Sequence, residues 1–126
     1  MNPKEIKEII RSIPKECNPR LGGFCNLYFR GLVDSYRNID IIVNKNTIDK
    51  VNLPYPRIES YPGEGWSKRI KYCVNSREVV ILENVCPITK LEMSLLGIYF
   101  ETEDNVLYAE RQREEYIESL QYSKKT

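Results

Sequence analysis

The residues best suited to chemistry lie in residues 21–43, where a glycine pair precedes two polar side chains on a predicted strand. Gly22 and Gly23 begin this segment, and glycine permits backbone torsions and close approaches that a Cβ forbids. Such a turn before a helix suits a backbone cradle for phosphate, although a glycine pair is equally typical of an ordinary turn. Asn38 and Asp40 lie two positions apart, so a strand directs both to one face. The spacing predicts a polar site facing the glycine turn.

The predicted elements that position these residues follow in the order loop, helix, turn, strand. Residues 24–29 form a short apolar helix that Gly31 terminates, and Ile39–Val43 is a β-branched strand. Sixteen positions separate Gly22 from Asn38, which leaves room for the helix and a return loop. Taken by themselves, Asn38 and Asp40 could equally bracket the end of a strand and cap a turn.

This arrangement resembles the nucleotidyltransferase superfamily, in particular its minimal antitoxin members and its abortive-infection-type members. Those proteins place a Gly-Gly or Gly-Ser turn before a helix, and then two aspartates, one residue apart on a strand, that bind magnesium ions. In this chain Asn38 stands where the first aspartate would be, and only Asp40 matches. The resemblance implies an α/β (α+β) fold: a small mixed sheet of about four to five strands with helices packed on it and a C-terminal helix pair.

The resemblance also implies a third carboxylate, on the returning strand of a hairpin. Residues 66–74 and 78–83 read as the two strands, with Asn75 and Ser76 as the turn. The family carries its acid in a context like Val-Asp-Ile-Leu, and here Val80 stands in that position. Glu78 shares the face of Val80 but lies about 7 Å away along the strand, too far to replace the acid without a bulge.

The charge of the site predicts a protein that has lost catalysis. Nucleotidyl transfer uses two magnesium ions held by three carboxylates, whereas Asn38 offers a neutral carbonyl and Val80 offers nothing. Asp40 is then a catalytic remnant that could hold one weakly bound ion. No cofactor is required, and magnesium with a nucleoside triphosphate would be needed only if activity survives.

Three functions remain open on this reading. The first is a catalytically degenerate module that binds another macromolecule, as an antitoxin, a regulator or a viral inhibitor of host defence does. The second is a working transferase that moves a nucleotide monophosphate to protein or RNA through Asp40 and a further acid. The third is a nucleotide sensor without turnover, whose predicted nucleotide-binding residues are Gly22, Gly23, Arg37, Lys68 and Arg69.

A long irregular loop precedes the hairpin, and its aromatic side chains are a further candidate for binding. Residues 52–65 hold three prolines and two glycines, with a brief strand predicted at residues 57–61. Tyr55, Tyr61 and Trp66 could stack on a base or cover the edge of the core, and the core is the favoured reading.

Composition limits the class of protein. A chain of 126 residues, with 41% hydrophobic and 29% charged residues, is expected to form a single domain over residues 1–126. Its formal net charge of +1 implies neither nucleic acid nor membrane as a partner, and nucleic acid stays open. A protein partner is what the resemblance implies. No apolar run has the length of a membrane span, and the first residues lack the core of a signal peptide, so the predicted compartment is the cytoplasm.

The available catalytic side chains are also limited. The chain has no histidine, which removes the commonest general base. Its four cysteines lie far apart in sequence, so a zinc site or a disulfide is less expected than reduced core thiols.

The outer parts of the chain read as helices. Asn2 caps a predicted amphipathic helix over residues 3–13, and a short helix is predicted within residues 44–51. Residues 87–100 and 106–120 read as two further helices, the first apolar enough to be buried or to form a homodimer contact, and the second with Ile117 facing inward and Arg113 outward.

Overall fold

The computed structural model describes residues 1–59, 65–87, 89–94 and 96–125, with side chains through residue 121. In chain order the elements are α1 (Pro3–Arg11), β1 (Arg20–Gly22), α2 (Gly23–Phe29), β2 (Ile39–Val43), β3 (Arg57–Ile58), β4 (Arg69–Val74), β5 (Arg77–Glu83), β6 (Leu91–Met93), β7 (Tyr99–Glu101) and α3 (Glu103–Lys125). Single 3-10 turns lie at Lys15–Cys17 and Ile48–Lys50.

The strands form one mixed sheet in the order β3-β4-β5-β2-β1-β7-β6. The β2–β5 and β1–β7 pairs are parallel, and the other neighbours are antiparallel. The predicted mixed sheet with packed helices is confirmed, but the predicted number of four to five strands is wrong, because the described residues alone form seven. The strands that the sequence does not predict, β1, β6 and β7, are each three residues long, too short to show an alternating pattern in the sequence.

The first helix forms as its cap predicts. The side chain of Asn2 accepts a hydrogen bond from the backbone N–H of Glu5 at 2.9 Å, and the Glu5 carboxylate accepts one from the Asn2 N–H at 3.4 Å. This reciprocal pair satisfies two backbone donors at the helix start. The helix ends at Arg11, two residues before the predicted end, and Ile13 is nevertheless buried.

The predicted hairpin is present as β4 and β5. Asn75 and Ser76 connect the strands with φ angles of 50° and 64°, the left-handed torsions that a tight two-residue hairpin turn needs. The brief strand predicted at residues 57–61 is present as the two residues of β3, while residues 60–64 lie outside the described part of the chain.

The secondary structure of the C-terminal third differs most from the sequence prediction. The predicted helix over residues 87–100 is wrong, because its described residues contain β6 and β7, while residues 88 and 95 lie outside the described ranges. A turn at Gly97, with φ at 76°, separates the two strands. The predicted helix pair is therefore a single helix, α3. Within the described residues, no helix has both the length and the apolarity needed to cross a bilayer.

Each face of the sheet has its own apolar cluster. On one face α1 packs with the alternate residues of the central strands, such as Ile39, Ile41 and Ile81. On the other face Ile42, Val80 and Leu82 form a smaller cluster with Trp66 against it. Because side chains alternate along a strand, Asp40 lies on this second face together with Ile42.

A buried ion pair joins β1 to β7. Nε of Arg20 donates to Oε1 of Glu101 at 2.7 Å, and the two side chains are 0% and 3% exposed. The same carboxylate accepts from Nδ2 of Asn105 in α3 at 2.9 Å. From α2, Nδ2 of Asn26 donates to the backbone oxygens of Leu21 and Glu101 at 2.7 and 2.9 Å. These bonds hold both helices against the same strands, beside the glycine turn.

Candidate functional site

The glycine turn lies between β1 and α2, directly against β2. A Cβ on Gly22 would overlap the side chain of Ile42, and a Cβ on Gly23 would overlap Oδ2 of Asp40. Gly23 also has φ at +62°, a left-handed torsion that side chains disfavour. Glycine is therefore required here because the backbone lies against Asp40, which occupies the space in front of Gly23.

One row of residues crosses the second face of the sheet in register. Gly22 pairs with Asp40, Asp40 with Val80, and Val80 with Lys71. Val80 therefore lies immediately beside Asp40 on the neighbouring parallel strand, where a carboxylate would share a cation with it. On the far side of Val80 the row continues to the ammonium group of Lys71.

The β4 strand supplies two cations to this face. Lys71 is 4% exposed, and its Nζ lies 2.9 Å from Oε1 of Glu78. Arg69 lies two positions earlier on the same face, and its guanidinium stacks over the Trp66 ring at 4.8 Å from the centroid. Glu78, the acid that the sequence places near Val80, is thus paired with Lys71.

These residues line a cavity of about 370 Å³ that α3 closes on one side. Ala109, Glu110, Arg113 and Ile117 form the α3 wall. The described charged groups of the lining are four cations and two carboxyls: Arg37, Arg69, Lys71, Arg113, Asp40 and Glu110. The described lining is therefore electropositive.

Asp40 is the most perturbed carboxyl of the cavity. Burial and the nearby negative charge of Glu110 raise the pKa of Asp40 to about 7, against the lowering effect of Arg69 and Arg113. Burial likewise raises the pKa of Glu110, while Arg113 lowers it. At neutral pH Asp40 therefore carries less negative charge than an exposed acid would.

The structure brings together most of the predicted site residues. Gly23, Arg37, Asn38, Asp40 and Arg69 line the cavity, and Gly22 lines a much smaller cavity of about 20 Å³ beside it. Lys68 lies outside both: it is 60% exposed, and its Nζ is 3.6 Å from Oδ2 of Asp49.

The aromatic residues that the sequence offers for binding do not all lie at the cavity. Trp66 lines the cavity, whereas Tyr55 is partly buried against the main core. Tyr61 lies outside the described residues. Phe24, which the sequence reading did not select, also lines the cavity and is 47% exposed.

Sequence reasoning missed three charged residues of the cavity: Lys71, Glu110 and Arg113. Arg113 was expected to face outward, and it is exposed but lies at the cavity wall. The helical spacing carried a signal, since Glu110 and Arg113 lie seven and four positions before the inward-facing Ile117 and share its stripe. For Lys71 the signal is its cross-strand position opposite Val80.

The donor set does not fit a pair of magnesium ions. Among the described residues, no three acidic or cysteine side chains come together as metal ligands. Asp40 has an amide, Asn38, and an alkyl group, Val80, where two further acids would be needed. The charged groups that act on it include the cations Arg69 and Arg113 as well as Glu110. Magnesium prefers several hard anionic oxygens, so this site could hold at most a single weakly bound ion.

Comparison with known proteins supports the fold and not a closer relationship. No protein-family model matches the sequence, and no curated protein matches it. Among solved structures, one chain from Thermotoga maritima, described as a "putative nucleotidyltransferase", superimposes with a TM-score of 0.59 at 12% sequence identity. The match covers 94% of this chain and 89% of that one. The chain therefore has a nucleotidyltransferase-like fold.

Proposed function

We propose that this protein is a binding or regulatory module on a nucleotidyltransferase-like fold, one that no longer transfers nucleotides. The observation that carries the proposal is the row of residues across the sheet. Beside Asp40 lies the alkyl side chain of Val80, followed by the buried ammonium of Lys71. A metal ion at Asp40 would find no second anionic ligand on the neighbouring strand and would be repelled by the cations nearby.

Losing the metal sites removes the main stabilisation of a phosphoryl-transfer transition state. Metal ions neutralise the charge that develops on the phosphate oxygens, and their loss costs several orders of magnitude in rate. A protein partner of the antitoxin, regulatory or anti-defence kind is the role that the resemblance implies, and this part of the proposal rests on the resemblance alone.

The first test is transfer from a labelled nucleoside triphosphate in the presence of magnesium. We expect no label on protein or RNA. Label that depends on magnesium and disappears in Asp40→Ala would overturn the proposal.

The second test restores the missing acids. We expect the variant Asn38→Asp/Val80→Asp to gain a magnesium-dependent rise in melting temperature that the wild type lacks. The matched control, Asn38→Asp/Val80→Asn, has similar shape and polarity at position 80 without its charge, and it should respond less. Wild-type protein that is stabilised by magnesium as strongly as the restored variant would contradict the proposal.

A second candidate, a surviving transferase, is favoured by one observation. Glu110 of α3 lies close enough to Asp40 for its negative charge to raise the pKa of Asp40, so it is an acid that could join Asp40 at one metal ion. The variant Glu110→Gln separates the two functions: it abolishes transfer if Glu110 is the missing ligand, and changes no turnover if the protein only binds.

A further inference from the structure

We propose that the cavity binds a phosphate monoester without a metal ion, with Lys71, Arg69 and Arg113 as ligands. The anion would thus lie where the resembling enzymes bind magnesium. The inference rests on the proposed function, because it assigns the class of ligand that the binding module holds.

The cations come from different elements and meet at one cavity. Arg37 precedes β2, Arg69 and Lys71 belong to β4, and Arg113 belongs to α3. The described lining has a formal net charge of +2 with both carboxyls ionised, and of +1 when Glu78, the partner of Lys71, is counted with it. A net positive site attracts a phosphate monoester, which carries roughly two negative charges near neutral pH, and repels a divalent cation.

The buried ammonium of Lys71 is held at the cavity wall. Its ion pair with Glu78 places Nζ 2.9 Å from Oε1, and at 4% exposure little water screens the ammonium. Electrostatic attraction to an anion is stronger in such a setting than at an exposed lysine.

Arg69 is oriented by its stacking on Trp66. Arg69 and Lys71 point to the same face and are about 7 Å apart along the strand, so the oxygens of one tetrahedral phosphate can bond to both side chains. A guanidinium also presents parallel N–H donors, the geometry that phosphate oxygens accept.

The carboxyls of the cavity do not oppose the anion as exposed acids would. Burial raises the pKa of Asp40 to about 7 and raises the pKa of Glu110 as well, so these carboxyls repel a phosphate less than exposed acids would.

The organic part of the ester has apolar walls to contact. Phe24, Trp66 and Ile117 line the same cavity, whose volume of about 370 Å³ lies within the range of small-molecule sites. These side chains favour an ester with an aromatic or apolar group over inorganic phosphate.

The test measures binding calorimetrically in a chelator that removes divalent ions, with inorganic phosphate and a nucleoside monophosphate as probes. We expect the monophosphate to bind more tightly than inorganic phosphate. Lys71→Met and Arg69→Met should each weaken binding by about tenfold or more, because each removes a charge-assisted contact. The control Lys50→Met removes a lysine that is 51% exposed and distant from the cavity, and should change affinity by less than about twofold.

Lys71→Met/Glu78→Gln serves as the second variant if Lys71→Met alone fails to fold, because it leaves no uncompensated carboxylate. Three results would each overturn the inference: no binding in chelator, binding that requires magnesium, or undiminished binding by the Lys71 and Arg69 variants. Equal affinity for inorganic phosphate and the monophosphate would overturn the assignment of an ester. These outcomes are distinct from failure of the proposed function, which is shown by magnesium-dependent transfer.

Discussion

Val80 lies directly beside Asp40, because the parallel strands β5 and β2 pair these two residues in register. An acid at this position would share a cation with Asp40, but the valine side chain packs with Ile42 and Leu82 instead. The antiparallel pairing of β4 with β5 brings Lys71 next to Val80 on the other side. These two pairing registers together determine that an apolar side chain and a cation lie beside Asp40.

The raised pKa of Asp40 makes the protein less stable as pH rises. The folded state holds the Asp40 proton up to about pH 7, whereas the ordinary value is 3.8, so this stabilisation is complete below the lower value and lost as pH rises through the higher one. Asp40→Asn should therefore raise the free energy of unfolding by about 2 kcal/mol near pH 8 and change it little near pH 4. This is roughly half of what the full pKa shift would give, because the Asp40 side chain is only half-buried.

The measurement is denaturant unfolding of both proteins at the two pH values. Asp49→Asn is the matched control, since Asp49 is 84% exposed and its removal should have no such pH dependence. An equal effect of Asp40→Asn at both pH values would contradict the assignment.

The overlap at Gly23 predicts a large cost for a single methyl group. Gly23 and Gly31 both have left-handed torsions, with φ at +62° and +79°, but only the Cβ of Gly23 would meet another group, the Asp40 carboxyl. Gly31→Ala should cost about 1 kcal/mol, which is the backbone penalty, and Gly23→Ala should cost about 2 kcal/mol more because of the overlap.

Thermal or denaturant unfolding of the two alanine variants measures this difference. Adding Asp40→Ala to Gly23→Ala should recover part of the loss, because the overlapping atoms are removed. Equal destabilisation by the two alanine variants would mean that Asp40 does not occupy the space in front of Gly23.

The buried pair of Arg20 and Glu101 should contribute far more than an exposed pair. Glu101→Gln keeps the shape of the side chain but leaves the fully buried guanidinium of Arg20 uncompensated, which should cost about 3 to 5 kcal/mol. The control Glu16→Gln breaks a pair with Lys50 whose side chains are about half exposed or more, and should cost less than about 0.5 kcal/mol.

Replacing both partners of the buried pair with apolar residues, as in Arg20→Met/Glu101→Leu, should be less damaging than Glu101→Gln, because no buried charge is left alone. Unfolding free energies near neutral pH provide the comparison. A Glu101→Gln variant as stable as Glu16→Gln would show that the pair is not buried in solution.

The cysteines should differ sharply in reactivity. Cys17 and Cys25 are fully buried, and burial raises the pKa of the Cys86 thiol to about 11, whereas Cys73 is partly exposed. Because the thiolate is the reactive form, a thiol reagent added to native protein should modify one cysteine rapidly, and Cys73→Ser should remove that phase. Denatured protein should show all four cysteines reacting, and a second rapid phase in the native protein would contradict the burial of the others.

Local sequence patterns predicted the elements that are determined by residues close together in the chain. The cap at Asn2, the β-branched run of β2, and the turn at Asn75 and Ser76 each depend on neighbouring residues, and each lies where the sequence predicts it. The placement of Asn38 and Asp40 at one site also follows from local spacing, and both residues line the cavity. The resemblance to nucleotidyltransferases rested on this region, and the fold agrees with it.

Only the tertiary structure decided the rest, because the deciding contacts join residues far apart in the chain. Apolar residues within 87–100 fit a helical stripe, but the parallel pairing of Phe100 with Leu21 selects the strand β7. In the sequence Lys71 and Arg113 are not distinguished from other charged residues. Arg113 reaches the cavity beside Lys71 because α3 crosses the sheet face that holds Asp40. Periodicity determines which residues share the face of an element, whereas sheet order and helix packing determine which faces meet.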